Sequence, residues 1–237
     1  MRILLGSGGF RTPERIKLLT ETMRSHFGPI KKLLFVPYAL HDHNQYVATI
    51  LQRGIDAGYE IDSIHTHSDP VKAVWNAEGL FIGGGNTFRL LKSLFDFELL
   101  DVIRTKAKAG LPYLGISAGC NVACPTIKTT NDMPIVEPPS LHALGLVPFQ
   151  VNPHYVQGSM AYQDSSGNYV AHFGETRDDR LKEFHEENTT PVIGLWEGGL
   201  LDCDGRHVKL IGTPARIFHR GQAAVDVISG DELSKLL

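Results

Sequence analysis

The stretch YLGISAGCNVA, residues 113–123, places Ser117 between Gly115 and Gly119, directly after a short apolar run. A nucleophile on a sharp strand-to-helix turn needs small residues two positions before and after it, because the backbone is strained and neighbouring chain packs close. Such a turn exposes the hydroxyl at the carboxyl end of a sheet and directs helix N–H groups towards an oxyanion. The stretch therefore predicts a serine nucleophile, with an ordinary polar residue at a strand-to-helix junction as the alternative.

Apolar and amphipathic segments alternate around this turn. The apolar runs, typical of strands, are ILLG (3–6), KLLFVPYA (32–39), IDSIHTH (61–67), GLFIGGG (79–85) and LPYLGIS (111–117). The segments with apolar residues at three- and four-residue spacing, typical of helices, cover residues 13–27, 43–58 and 87–110. Unbroken apolar strands alternating with helices indicate a mostly parallel sheet covered on both faces. We therefore expect one α/β domain over residues 1–237.

The pattern changes after Ser117, where prolines and turn residues become frequent. We expect loops and short antiparallel strands appended to the sheet. A charged helix is predicted over residues 175–188, followed by strand-like segments at 192–198, 207–212 and 215–219.

Composition limits the classes of partner. The formal net charge is −3, and the longest basic run is the pair Lys31-Lys32, which disfavours a nucleic acid or an anionic membrane as partner. The sequence shows no signal-peptide layout and no membrane-spanning apolar run. Three cysteines, an odd number, argue against a disulfide framework and for a reducing compartment. We expect a cytoplasmic protein without metal or cofactor.

A serine nucleophile needs a base and a second oxyanion donor. His154 stands out among eleven histidines because QVNPHY places it in a proline-fixed loop after an apolar strand. The glycines of FIGGGNTF (81–88) allow a close backbone approach, so N–H groups of Gly84 and Gly85, with that of Ala118, are the predicted oxyanion hole. The other glycine cluster, GSGGF (6–10), is interpreted as a strand-end turn.

Six motifs occur in the order found in one known family. They are GGGNTF (83–88), GISAG (115–119), TTNDMPIV (129–136), NPHY (152–155), GETRDDR (174–180) and WEG (196–198). In these motifs the sequence resembles the peptidase E family of α-aspartyl dipeptidases. The resemblance implies a flavodoxin-like fold, akin to class I glutamine amidotransferases, and metal-free hydrolysis of dipeptides with an amino-terminal aspartate.

The resemblance also implies roles for individual residues. Ser117 would be the nucleophile and His154 the general base. Asp132 and Glu197 compete for the third position of the triad. If Glu197 orients the imidazole, Asp132 is free to bind the α-ammonium group of the substrate. Both carboxylates also have structural explanations, Asp132 as a turn residue and Glu197 as a solvent-facing residue at a strand end.

An acidic substrate side chain requires a fixed cation, and a guanidinium binds a carboxylate through two parallel hydrogen bonds. Arg177 is the candidate, at the start of a helix near which the family's substrate contacts lie. The alternative is that Arg177 belongs to a solvated first turn. Small acidic peptides are the expected substrates, and the sequence leaves a homodimer open.

Three other enzymatic activities are alternatives for a sequence of this kind. Glutamine amidotransferase chemistry is disfavoured because a serine holds the elbow position and Cys120, three residues on, is expected to pack inside a helix. A cyanophycinase-like peptidase, cleaving β-linked aspartyl-arginine units, would share the serine elbow.

An α/β-hydrolase esterase would satisfy its chain order with Ser117, then Asp202 or Asp204, then His207 or His219. The absence of an HGG-type motif argues against it. A non-catalytic protein that binds acidic ligands is the last alternative.

Overall fold

The structure is a computed structural model that describes residues 1–159 and 161–237. Its strands are β1 Ile3–Gly6, β2 Lys32–Val36, β3 Glu60–Ser63, β4 Leu80–Ile82, β5 Tyr113–Ile116, β6 Gln150–Pro153, β7 Ala161–Gln163, β8 Tyr169–Ala171, β9 Val192–Leu195, β10 Leu200–Cys203, β11 Val208–Ile211, β12 Ala215–Phe218 and β13 Val225–Val227. Its α-helices are α1 Pro13–Phe27, α2 His43–Gln52, α3 Pro70–Asn76, α4 Thr87–Asp96, α5 Leu99–Lys108, α6 Ala118–Ala123 and α7 Arg177–Glu187, with 3₁₀ turns at Ile64–Thr66 and Ser234–Leu236.

The central sheet has seven strands in the order β11-β10-β1-β5-β4-β2-β3. The pairs from β1 to β3 are parallel, and β10 and β11 join antiparallel at the β1 side. The predicted α/β fold with a mostly parallel central sheet is confirmed. Because the carboxyl ends of β1, β4 and β5 meet at one edge, the loops that follow these strands converge there.

Both faces of this sheet are buried, which explains why its strands are unbroken apolar runs. Along β1, Ile3 and Leu5 contribute to one hydrophobic cluster and Leu4 to another. Helices α1 and α2 contribute to the second cluster, whereas α3, α4, α5 and α6 contribute to the first. The sheet therefore lies between two layers of helices.

A second sheet of four strands, in the order β13-β12-β9-β6, was not predicted. We expected the later strands to extend the central sheet, and only β10 and β11 do so. Within the second sheet β6 and β9 are parallel, with Pro153 opposite Leu195. Residues that follow these two strands therefore lie side by side, close to the elbow.

The predicted helix over residues 87–110 is two helices in the structure. Helix α4 ends at Asp96 and α5 begins at Leu99, with Glu98 at φ 56° between them. A residue in the left-handed region cannot continue a right-handed helix, so the chain turns there. Within the described ranges, no helix combines the length and the hydropathy that a bilayer-spanning segment requires.

Candidate active site

Ser117 occupies the turn between β5 and α6, with φ 54° and ψ −108°. Positive φ at a non-glycine residue costs about 1–3 kcal/mol and is often found at functional sites. A Cβ at Gly115 would lie 2.2 Å from the Gly119 oxygen, and one at Gly119 would lie 2.2 Å from the Ile82 oxygen. Both glycines are therefore required for the strand and helix to pack this closely. The Ser117 N–H donates to Gly6 O at 2.8 Å, which attaches the turn to β1.

His154 follows β6 and faces the serine. Its Nε2 lies 2.9 Å from Ser117 Oγ, a distance suited to proton transfer. His154 also has a positive φ, 54°. Its backbone N–H donates to Ser7 Oγ at 2.8 Å, and the Ser7 hydroxyl donates to Leu195 O at 2.8 Å. Because Ser7 follows β1 and Leu195 ends β9, this hydroxyl links the two sheets at the residue that carries the imidazole.

Glu197 binds the other ring nitrogen, with 3.2 Å between His154 Nδ1 and Glu197 Oε1. Its second oxygen, Oε2, lies 3.6 Å from Arg15 Nη1, and Arg15 donates to Gly9 O at 3.2 Å. The Glu197 side chain is 52% exposed, so solvent weakens the electrostatic part of this contact. The structure thus brings a hydroxyl, an imidazole and a carboxylate together in one hydrogen-bonded series.

The GSGGF loop after β1 forms a turn, as predicted, and also packs against this series. A Cβ at Gly8 would lie 2.4 Å from His154 Cε1, and one at Gly9 would lie 2.5 Å from Glu197 Oε2. The loop therefore sets how closely the backbone approaches both side chains. The sequence contains a signal for this packing, since glycines clustered after a strand indicate that the backbone there approaches another group closely. What sequence could not show was which side chains approach.

The Asp132 carboxylate lies at the beginning of α4 and has no hydrogen bond to the imidazole of His154. Its Oδ2 accepts from the Thr87 N–H at 2.8 Å, the Thr87 hydroxyl at 2.6 Å and the Thr130 hydroxyl at 3.1 Å. These bonds hold the carboxylate at the first turn of α4, where a helix N-terminus favours negative charge. Asp132 is thereby attached to the end of the GGGNTF loop, while the imidazole of His154 is bonded to Glu197.

The residues predicted for the oxyanion hole border the serine. A Cβ at Gly84 would lie 3.0 Å from Ser117 Cβ, and Gly85 has φ 135°, which side chains rarely allow. Ala118 is the first residue of α6, where N–H groups lack partners within the helix. The Tyr46 hydroxyl faces the backbone of Gly84, and burial raises its pKa to about 12, so the group beside the loop is neutral.

Arg177 is the first residue of α7 and lies apart from the series. The N-terminus of α7 is capped by Thr176, which exchanges hydrogen bonds with Asp179 in a capping box. Arg177 lines a cavity of about 130 Å³ together with His172 and Arg180. Burial and the neighbouring charge of Arg180 lower the pKa of Arg177. Glu175 also lines the cavity, and its Oε2 lies 3.4 Å from Arg180 Nε. Arg177 is therefore the guanidinium that the cavity offers to an anion.

Cys120 is fully buried in α6. Burial raises the pKa of its thiol well above the ordinary value, so the sulfur stays protonated and unreactive. The expected packing role fits this environment.

Two residues of the esterase alternative, Asp204 and His207, lie away from Ser117. Asp204 and His207 form a pair at 3.1 Å in the turn between β10 and β11. Cys203, beside that turn, pairs with Ile3 at the amino end of β1, whereas Ser117 lies at the carboxyl end of the neighbouring β5. The sheet therefore separates this histidine from the serine.

A serine at a strained elbow of a parallel sheet, in series with an imidazole and a carboxylate, defines a serine hydrolase. The model of peptidase family S51 matches residues 2–211, and the chain belongs to this family.

Relatives agree with this assignment. A Streptomyces coelicolor protein named peptidase E is 47% identical over 207 residues, covering 87% of this chain and 82% of that one. A Drosophila melanogaster protein named "probable alpha-aspartyl dipeptidase" is 46% identical over 184 residues, covering 77% and 73%. The solved structure of a peptidase from an acI-B1 actinobacterium has a TM-score of 0.66 at 18% identity, over 98% of this chain and 96% of that one. At that identity the likeness shows the fold alone.

Proposed function

We propose that this chain is a serine-type dipeptidase that hydrolyses dipeptides beginning with aspartate through an acyl-enzyme on Ser117. One observation carries the chemistry: Ser117 Oγ, His154 Nε2 and Nδ1, and Glu197 Oε1 form a series with distances of 2.9 and 3.2 Å. The substrate class follows from the names of the relatives, peptidase E and alpha-aspartyl dipeptidase.

In this mechanism Ser117 Oγ attacks the peptide carbonyl while His154 Nε2 accepts the hydroxyl proton. Glu197 accepts from the Nδ1–H, fixes the tautomer and stabilises the imidazolium. His154 then protonates the amine of the leaving residue, and the amine departs. Water, deprotonated by His154, attacks the ester carbonyl and releases aspartate with the free serine.

The oxyanion of both tetrahedral intermediates would accept from the N–H of Ala118 and from the Gly84-Gly85 loop. The helix N-terminus at Ala118 adds a favourable partial charge there. In this arrangement Asp132 is a positioning residue, because its bonds to Thr87 hold the end of that loop. Binding of the substrate ammonium group by Asp132 stays a prediction.

Arg177 is the proposed partner of the aspartyl side chain. The half-buried guanidinium begins α7, and the cavity it lines includes Val156, two residues beyond His154. Arg180 is paired with Glu175 at 3.4 Å, so Arg177 is the guanidinium proposed to bind a carboxylate that enters this cavity. Small acidic peptides are therefore the proposed substrates.

The cytoplasm is the compartment that fits this proposal. Cys120, Cys124 and Cys203 are free thiols, which is typical of proteins in a reducing environment. The homodimer stays a prediction.

The test is hydrolysis of Asp-Leu by the purified protein. Replacement Ser117→Ala should lower kcat by about 10⁴-fold or more, because the acyl-enzyme cannot form. The matched control is Ser166→Ala, in the turn between β7 and β8, which should keep wild-type kcat. Normal turnover by Ser117→Ala would refute the mechanism, and preference for β-Asp-Arg over Asp-Leu would indicate the cyanophycinase-like activity instead.

A further inference from the structure

A cavity of about 210 Å³ opens directly on the catalytic series, with Ser117 and His154 both in its lining. It extends from the serine towards α2 and the loop after β1. Sites for drug-sized ligands occupy roughly 300–1,000 Å³, so this cavity suits a smaller group, such as one amino-acid residue.

The charged side chains that line this cavity are both cationic. Its lining contains Arg11 and Arg53 and neither Asp nor Glu. Both arginines are exposed. The salt bridges among residues 1–159 and 161–237 do not include either of them. Two cations are thus available to an anion that enters next to the serine.

The remainder of the cavity is largely apolar. Phe10, Ile50, Ile55, Phe81 and Ile116 contribute to its lining, and the first four are at least nine-tenths buried. Apolar side chains gain free energy by covering such surface. An acidic side chain placed on it would lose hydration without gaining hydrogen bonds.

The proton transfer from His154 to the leaving amine indicates which part of a substrate occupies this cavity. His154, which would protonate the departing amine, lies in the lining, so the leaving residue must lie within its reach. Because the leaving residue of a dipeptide carries the free carboxyl terminus, its carboxylate accompanies it.

We propose that this cavity binds the carboxyl-terminal residue of the dipeptide, with an apolar side chain on the apolar lining and the α-carboxylate bound by Arg53 and Arg11. The inference rests on the proposed dipeptidase function and deepens it. It predicts a preference for dipeptides, since a third residue would remove the carboxylate from the guanidinium groups. Arg53 is held as the C-terminal cap of α2, so its backbone is fixed relative to the serine.

The experiment compares Asp-Leu with Asp-Leu-amide, which differ only in the terminal carboxylate. For the wild type, amidation should lower kcat/KM by about 10- to 100-fold, the range for a lost charged hydrogen bond. The double variant Arg11→Gln/Arg53→Gln should raise KM for Asp-Leu by a similar factor. It should cleave the amide as the wild type does, because the amide never used the guanidinium groups.

Arg206→Gln, in the turn between β10 and β11, is the matched control and should keep the wild-type preference. Equal losses on both substrates would overturn the inference, because the arginines would then bind the aspartyl side chain or support the fold. Unchanged constants on both substrates would overturn it as well. A wild type that cleaves neither peptide would mark failure of the dipeptidase function, a result distinct from the other two.

Discussion

Glu197 and Asp132 differ in what their carboxylates contact, and the difference can be tested one residue at a time. Glu197→Gln should lower kcat for Asp-Leu by about 10²- to 10³-fold with little change in KM. An amide at this position can stabilise the wrong tautomer of His154 and no longer balances the imidazolium charge. The loss should be smaller than for a buried triad carboxylate, since Glu197 is 52% exposed. Steady-state kinetics with Asp-Leu provide both constants.

Asp132→Asn is the companion variant. Its amide oxygen can still accept from the Thr87 N–H, so kcat should fall less than tenfold. A rise in KM alone would support binding of the substrate ammonium group by Asp132. A larger loss of kcat in Asp132→Asn than in Glu197→Gln would make Asp132 the third member of the series.

Sequence could single out Ser117 and His154 as candidates because each lies in a local pattern with a physical reason, the glycine-flanked elbow and the proline-fixed loop. The structure places the two side chains 2.9 Å apart, and their catalytic roles stay predictions. The choice between Asp132 and Glu197 could not be made from sequence, since it depends on the pairing of β6 with β9. The role proposed for Arg53 could not be inferred from sequence for a related reason. An arginine at the end of an amphipathic helix resembles any surface arginine until the fold places it in the lining of the cavity that contains Ser117.

At the scale of elements, the loop after β1 acts as a spacer for the imidazole. Gly8→Ala should lower kcat by about 10- to 100-fold, because the added Cβ would lie 2.4 Å from His154 Cε1 and displace the ring from Ser117. Gly110→Ala is the control, since Gly110 has φ 109° with no atom within 4 Å of the added Cβ. Both changes strain the backbone, and each should lower the melting temperature. Equal kcat in the two variants would show that the loop does not position the ring.

The two sheets show how far sequence patterns extend. The strands of the central sheet were predicted because burial on both faces makes each an apolar run, which is a local property. The second sheet was not, because β6 and β9 are separated by the hairpin β7-β8 and by α7, and their pairing is non-local. The break at Glu98 was missed as well, since the apolar periodicity continues through it. Local chemistry therefore predicted the elbow, and tertiary pairing supplied its partners.

At the scale of the whole molecule, a buried titratable group makes folding sensitive to pH. His26, in the last turn of α1, is 6% exposed and its Nε2 lies 3.1 Å from Tyr113 O. Burial, assisted by the charge of Arg2, lowers its pKa to about 4. The unfolded chain binds a proton at this residue below about pH 6.5, while the folded protein does not. Between these pH values the unfolded state therefore holds more protons, and stability falls as the pH falls.

The expected loss from His26 between pH 6.5 and pH 5.0 is about 2 kcal/mol, at about 1.4 kcal/mol per pH unit. Urea unfolding at pH 7.5, 6.5, 5.5 and 5.0 would measure it as a decreasing midpoint. His26→Gln should be less stable at pH 7.5, because the packing changes, and should lose this part of the pH slope. Asp202, 3.9 Å from the ring, has a raised pKa and contributes with the opposite sign, so the difference between the two proteins isolates His26. The control is His41→Gln, at an exposed histidine, which should keep the wild-type dependence of the urea midpoint on pH. If the midpoints of His26→Gln and the wild type fell equally with pH, His26 would not be the group whose protonation destabilises the fold.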